Sequence, residues 1–264
     1  MFRADLHCHS CLSDGTDTPE ELIDLAIEMG LSGLSITDHD TVAAYPRALE
    51  YAARKNFSVI TGVEFSASYK GDPVHVLGYG YDYTNREICD LCFHHQHRRH
   101  ERNEKILLNL AKMGIEIPYE ELGSEGTIGR PHIAQALQKR GIVTTIKEAF
   151  DRYLGEGKDA YDPGEPITVE ETIEAIHAGG GKAVLAHPHL LKRTSTIRFA
   201  LQQIFDGLEG YYARLPVNQE KKWIDIAHNK GWIITGGSDY HGSVKPLNVL
   251  GSSWVGEDVF NALR

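Results

Sequence analysis

Short apolar runs recur along this chain of 264 residues, and nearly every one gives way to a histidine or a carboxylate. The runs are Phe2–Leu6, Gly33–Thr37, Val59–Val63, Val74–Tyr79, Ala183–Ala186, Leu208–Tyr212 and Trp232–Thr235. Helical stretches separate most of them. Thr18-Pro19-Glu20-Glu21 opens the first, with Thr18 as N-cap and Glu21 completing a capping box. Leu22, Ile23, Leu25, Ala26 and Met29 follow at helical spacing, and Gly30 ends the pattern. Further helices are expected over Val42–Lys55, Thr168–Ala178, Ser195–Phe205 and Asn218–Asn229. Short buried strands alternating with helices imply a parallel sheet, and this many units predict a closed, irregular β/α barrel of the α/β class. An apolar content of 41% is enough to fill such a core.

The alternation breaks between Asn85 and Asp162. Helices are expected there over Glu87–Met113, Pro131–Arg140 and Ile146–Leu154, followed by a Gly- and Pro-rich connector, Gly155–Pro166. The expected organisation is a barrel of residues 1–84 and 163–264, interrupted by a helical insertion of residues 85–162.

In a β/α barrel the reactive side chains come from the C-terminal ends of the strands. The first run ends in His7-Cys8-His9, with Asp14 in the following loop. The second ends in Asp38-His39-Asp40, and the third runs into Glu64. The fourth carries His75 near its start, the fifth leads to His187 and His189, and the last to Asp239 and His241. His7/His9 and Asp239/His241 are i,i+2 pairs, so each pair shares one face of its strand. Taken singly, a histidine at a strand end is commonly a satisfied polar residue. Six histidines and three carboxylates converging without cations would carry a prohibitive desolvation cost. The set therefore points to a metal site.

Other features bound the function. A formal net charge of −10 argues against long duplex DNA as a partner, because that binding relies on Lys and Arg neutralising phosphates. No stretch approaches the ~20 apolar residues of a membrane span. The opening Met-Phe-Arg-Ala-Asp has no basic-then-apolar leader, so a cytoplasmic location is expected. Cys8/Cys11 and Cys89/Cys92 are C-x-x-C pairs. They are read as thiols rather than a split zinc site, because Cys8 must point away from His7 and His9. The cluster His94, His95, His97, Arg98, Arg99, His100 and Arg102 lies on an expected helix. It reads as a solvated basic face, with guidance of a nucleotide's phosphates as the alternative.

DLHCHS, ITDHD, GVEFS, AHPH and GSDYH resemble the signatures of the PHP (polymerase and histidinol phosphatase) family of metal-dependent phosphoesterases, and they follow the family's order from Asp5 to His241. The position of the insertion is similar to that in the stand-alone TrpH/YciV-like branch. The resemblance implies a distorted seven-stranded barrel with three divalent ions. It implies that His7, His9, Glu64 and Asp239 hold one ion, Glu64, His75 and His187 the second, and Asp14, His39 and His241 the third. Asp14 replaces a histidine found in some members, and a hard carboxylate there suits Mn²⁺ or Fe²⁺ at least as well as Zn²⁺. Glu64, Asp14 and His241 are the candidate catalytic residues.

The implied reaction is hydrolysis of a phosphate ester of a nucleotide, either a 3′,5′-bisphosphonucleotide or the 5′ end of a short RNA. Arg130, at the start of a helix in the Arg130-Pro131-His132 motif, is a candidate for a second phosphate, with pairing to a carboxylate as the alternative. His132 and His189 are further candidates for substrate contact, His189 alternatively orienting His187. Asp38 and Asp40 are expected to back the histidines. Tyr211 or Tyr212 is a candidate to stack on a base. Competing readings are a histidinol-phosphate-type phosphatase and a non-enzymatic metal-binding module.

Overall fold

The computed structural model describes residues 1–123 and 126–264. The chain runs β1 (Ala4–Cys8), α1 (Pro19–Glu28), β2 (Gly33–Ile36), α2 (Tyr45–Lys55), β3 (Ser58–Val59), β4 (Gly62–Tyr69) and β5 (Asp72–Tyr79). Then come α3 (Arg86–Lys112), α4 (Arg130–Lys139) and α5 (Ile146–Ala149), the last continued by a π turn at Phe150–Leu154. The remainder is α6 (Val169–Ala178), β6 (Lys182–Leu185), α7 (Thr194–Ala200), β7 (Gly207–Tyr212), α8 (Val217–Lys230), β8 (Ile233–Gly237) and α9 (Glu257–Ala262). Local chemistry sets the helix starts. Thr18 Oγ1 accepts from Glu21 N and the Glu21 carboxylate accepts from Thr18 N. Thr168 and Glu171 repeat the device at α6.

The strands form a three-stranded sheet, β1-β2-β3, and a five-stranded sheet, β4-β5-β6-β7-β8. Neither is closed by a continuous ladder of its own, and the two sheets touch edge to edge at two seams. At one seam Cys8 bridges Tyr240, with His9 N donating to Tyr240 O at 2.8 Å and Asp239 N to His7 O at 2.8 Å. At the other, His39 bridges Glu64, and Asp40 N donates to Glu64 O at 3.1 Å.

The expectation of a parallel arrangement fails at one strand. β5 pairs antiparallel with both β4 and β6. The cause is local: Lys70 and Gly71, both with positive φ, reverse the chain in two residues, too few for the crossover that a parallel neighbour needs. The expected run Val59–Val63 divides into β3 and the start of β4.

Three apolar clusters hold this frame. Val63, Phe65, Val76 and Leu185 pack under Ile173, Ile176 and Trp223. Leu34, Ile36 and Cys8 pack against Leu22, Ile23 and Ala48. Leu6, Leu77, Tyr79 and Val184, drawn from both sheets, meet Phe260 and Leu263 near the C-terminus. A fourth cluster draws only on residues between Ile106 and Ala160. Cys8 and Cys92 belong to different clusters.

Two features press β1 against β8. Gly237 has no side chain because a Cβ there would come within 2.4 Å of His7 Cβ. Asp5, fully buried, accepts from His7 N at 3.1 Å, Ser238 N at 2.9 Å and Gly251 N at 2.8 Å. Burial nevertheless raises its pKa to about 6 against the pull of those bonds. Asp5→Ala would remove the acceptor of three N–H groups, two of them buried. We expect it to lower unfolding free energy by about 3 kcal/mol or more, measured by urea denaturation of the metal-free protein.

Candidate metal centre

Glu64 is the hub of the site. Its Oε2 lies 3.2 Å from His7 Nε2, 3.1 Å from His9 Nε2 and 3.3 Å from His39 Nδ1. Its Oε1 lies 2.7 Å from His75 Nδ1 and 2.8 Å from His187 Nε2. His75 reaches this hub because β5 is antiparallel: it pairs with Ser66, on the same face of β4 as Glu64. A residue near the start of β5 thus lies level with the C-terminal ends of β1 and β2.

Asp239 Oδ1 is 3.3 Å from His9 Nε2 and 3.5 Å from both His7 Nε2 and His241 Nδ1. Asp14 returns from its loop to place Oδ1 3.2 Å from His241 Nε2 and 3.6 Å from His9 Nδ1. The structure thus gathers all nine candidate ligands. Three groups have ligand atoms within 4.8 Å of one another: His7, His9, Glu64 and Asp239; His9, Asp14, His39 and His241; and His39, Glu64 and His75. The grouping differs in detail from the one the resemblance implies, since His9 belongs to two groups and His39 stands beside Glu64 and His75. His187 joins through Glu64.

The donor set fits divalent cations. Both ring nitrogens of His9, Asp14 Oδ1, His39 Nδ1 and His241 Nε2 are buried without a hydrogen-bond partner. They lie close to opposite charge yet in directions that make no bond, as ligand atoms aimed at a shared centre do.

Electrostatics tells the same story. Burial would raise Glu64, but His39, His75 and His7 outweigh it and hold its carboxyl well below the usual range. Burial likewise opposes ionisation of Asp239, and Lys245, His241 and His7 reverse it. Burial would depress His9, yet Asp239, Glu64 and Asp14 lift its pKa to about 9. His39, where burial wins, falls to about 3. Without cations, protons on imidazoles balance the carboxylates.

Two residues of this site, Glu209 and Lys245, escape a reading of the sequence, and Tyr212 has a different place from the one expected. Glu209, buried in β7, places Oε1 2.9 Å from His7 Nδ1 and accepts from His187 N at 2.7 Å. A carboxylate only accepts, so His7 carries a hydrogen on Nδ1, and Nε2, facing Glu64, is the nitrogen that would give up its proton to a cation. The signal was present: Glu209 is the one charged residue in Gly207–Tyr212. Lys245 Nζ holds Asp239 Oδ2 at 2.8 Å, and Tyr212 donates to the same oxygen at 2.6 Å. Tyr212 is thereby tied to Asp239 rather than free to stack face-on, while Tyr211 packs toward Ile233 and Val259.

Beside the centre lies a cavity of about 320 Å³ bordered by Asp14, His39, His75 and four arginines, Arg98, Arg99, Arg102 and Arg130. The expected solvated face of α3 divides in two. His94, His97 and His100 are exposed, but His95, Arg98, Arg99 and Arg102 are buried. These four recur at i, i+3, i+4 and i+7 and continue the stripe of Ile88, Leu91 and Ile106.

Of the four pocket arginines, only Arg99 has a carboxylate partner among the described residues, Asp40, and it also donates to Ser66 Oγ at 2.6 Å. Asp40 is thus engaged with Arg99, with Ser66 N at 2.7 Å and with His95, not with a ligand histidine. Asp38 accepts from Ser10 N, Ser10 Oγ and Ser13 Oγ and fixes the loop that carries Asp14. Arg98 Nε and Arg102 Nε are buried without partners. Arg130 donates to Leu154 O at 3.3 Å and lies over the Phe150 and Tyr161 rings, and it has no carboxylate within ion-pair distance among the described residues.

The other substrate candidates are placed differently. His132 Nδ1 accepts from Gly129 N at 3.0 Å and caps its own helix. His189 packs edge-on against Tyr212 at 4.5 Å, and its buried Nδ1 has no partner.

The comparisons with known proteins agree with this site. A Salmonella typhimurium protein named 5′-3′ exoribonuclease Rnm is 39% identical over 247 residues, covering 90% of this chain and 84% of its own. The 3′,5′-nucleoside bisphosphate phosphatase of Chromobacterium violaceum is 30% identical over 250 residues, 91% of this chain and 88% of its own. A crystal structure assigned to a metal-dependent phosphoesterase of Bifidobacterium adolescentis superposes with a TM-score of 0.89 at 31% identity, covering 98% of this chain and 94% of that one. With these likenesses, the fold and the site define a metal-dependent phosphoester hydrolase. The pattern of the PHP domain family matches residues 5–160, and the chain belongs to that family. No helix among the described residues is long and apolar enough to cross a membrane.

Two outcomes follow for metal binding. His9 is protonated below about pH 9 and must lose that proton to bind a cation, so the apparent Mn²⁺ affinity should rise with pH up to about 9. Calorimetry in buffers of different ionisation enthalpy should show proton release at pH 7.5. Glu209→Gln should weaken Mn²⁺ binding by about tenfold or more, the range seen when an outer carboxylate on a ligand histidine is lost.

Proposed function

We propose that this protein hydrolyses phosphate esters of nucleotides that carry a second phosphate: 3′,5′-bisphosphonucleotides and the 5′-phosphorylated ends of short RNAs. The carrying observation is the juxtaposition of the nine-residue centre with four guanidiniums, three of them on buried residues, of which only Arg99 is paired with a carboxylate among the described residues. The relatives' names, an exoribonuclease and a bisphosphate phosphatase, point the same way.

The nine residues His7, His9, Asp14, His39, Glu64, His75, His187, Asp239 and His241 would hold three divalent ions, with Mn²⁺ favoured and Fe²⁺ or Zn²⁺ as alternatives. Such ions neutralise phosphoryl oxygens and make water acidic enough to attack near neutral pH. The protein's own residues do the rest. Glu209, Lys245 and Tyr212 fix the rings and carboxylates that face the scissile phosphate. Asp14 and His241, 3.2 Å apart, stand where a proton can be held as water attacks phosphorus and the ester oxygen departs. We read the two sheets, with β3 as an outlying strand, as a distorted seven-stranded barrel whose mouth carries the centre. Residues 85–162 form the insertion that supplies the second-phosphate pocket.

In that pocket the guanidiniums meet an anion of the right size and charge. Burial lowers the pKa of Arg102, and Arg99, Arg130 and Arg98 lower it further. An anion bound among them relieves both costs. The histidinol-phosphate reading offers no group to fill this pocket.

A panel of substrates with Mn²⁺ tests the reading: adenosine 3′,5′-bisphosphate, 5′-phosphorylated tri- to pentanucleotides, histidinol phosphate and p-nitrophenyl phosphate. Hydrolysis of only the last two would overturn it. Asp14→Ala and His241→Ala should each reduce kcat on the preferred substrate by about 10³-fold or more while the protein remains folded by circular dichroism. Arg102→Met should raise KM for the bisphosphate by about 10–100-fold, the worth of a charged hydrogen bond. It should spare p-nitrophenyl phosphate and leave Tm equal or higher, because it removes a buried, repelled cation.

A further inference from the structure

We propose that a second groove, which shares no lining residue with the arginine pocket and meets the centre at Tyr212, binds the RNA strand downstream of the cleaved phosphate. This rests on the reading above of the chain as a nuclease acting from a 5′-phosphate. The groove encloses about 550 Å³ and is lined by Tyr211, Tyr212, Arg214, Glu220, Trp254 and their neighbours.

Continuity with the centre is the first argument. Tyr212 is a wall of the groove, and its hydroxyl donates to Asp239 at 2.6 Å. Its ring lies 6.2 Å from that of His187 and 4.5 Å from that of His189. The arginine pocket borders the centre at Asp14, His39 and His75 instead. A strand with its 5′-phosphate among the arginines and its next phosphodiester at the centre must leave on another side, and Tyr212 stands there.

Composition is the second argument. Single strands are held by aromatic faces and cations, because every base has a π-face and every linkage a charge. The groove offers both. Trp254 is 38% exposed, with the Arg3 guanidinium over its ring at 5.9 Å. Arg214 is exposed, forms no ion pair among the described residues, and is held by a positive φ of 63° in a conformation uncommon for a non-glycine residue. Glu220 is the one carboxylate in the lining, so a phosphate bound in the groove is expected nearer Arg214 than Glu220. A bisphosphonucleotide ends at the scissile phosphate and needs none of this.

The experiment compares two substrates of one enzyme, adenosine 3′,5′-bisphosphate and a 5′-phosphorylated pentanucleotide RNA, in Mn²⁺ buffer. Arg214→Ala/Trp254→Ala should raise KM for the pentanucleotide by about tenfold and leave kcat/KM for the bisphosphate unchanged. Trp254→Phe should retain most of the RNA binding, and Arg214→Ala alone should reduce the salt slope of RNA binding by about one phosphate. Equal loss on both substrates, or no loss on either, overturns the groove. So does a double variant that changes from dimer to monomer in sedimentation, which would assign the groove to a second copy of the chain. A wild-type enzyme that cleaves neither substrate defeats the nuclease reading itself.

Discussion

One buried carboxylate organises this molecule. Glu64 stands within 3.3 Å of five imidazoles that come from β1, the loop after β2, β5 and the loop after β6. No single helix or hairpin can deliver five rings to one point. The segments must converge, and the two sheets touch at the Glu64 and Asp239 seams because the ligands there have to meet. The backbone yields where the geometry is tightest: Asp40, His187 and Asp239 all have positive φ. Strain of this kind persists only where surrounding contacts over-determine it. Asp5, Gly237 and Glu209 provide those contacts.

A net charge of −10 and a pocket of four arginines belong to the same protein without contradiction. Net charge governs encounter with large polyanions. Recognition of one phosphate depends on guanidiniums held within a few ångströms, shielded from the acidic surface. Asp40 partly neutralises that cluster and anchors Arg99, so the pocket is pre-formed yet short of negative charge.

Much of this was legible in the chain itself. The i,i+2 pair His7/His9 announces a strand end that presents two ligands together, whereas Asp239 and His241 lie past the end of β8, where Asp239 takes a positive φ and strand alternation no longer applies; the capping box at Thr18 fixes where the first loop ends. Other features were hidden for definable reasons. The reversal at β5 depends on a two-residue turn, and a short apolar run carries no sign of its direction. His95, Arg98, Arg99 and Arg102 follow a buried stripe, yet polar side chains mask that stripe when residues are weighed by type rather than period. Lys245 comes from an irregular loop, where spacing has no meaning. Asp38 and Asp40 flank His39 and look like its supports, but they lie in the turn after β2, where Asp40 takes a positive φ, and that turn sends them to other partners.

The long excursion between β5 and β6 leaves and returns at neighbouring residues, since Tyr79 and Lys182 are register partners. The helices hung on that doorway therefore need not interrupt the pairing of β5 with β6, and they rest on the frame through contacts such as Arg98 and Arg99 with Ser66 and Asp40. Lineages could exchange or reshape the excursion, and with it the choice of substrate, while the reactive centre kept its geometry unchanged.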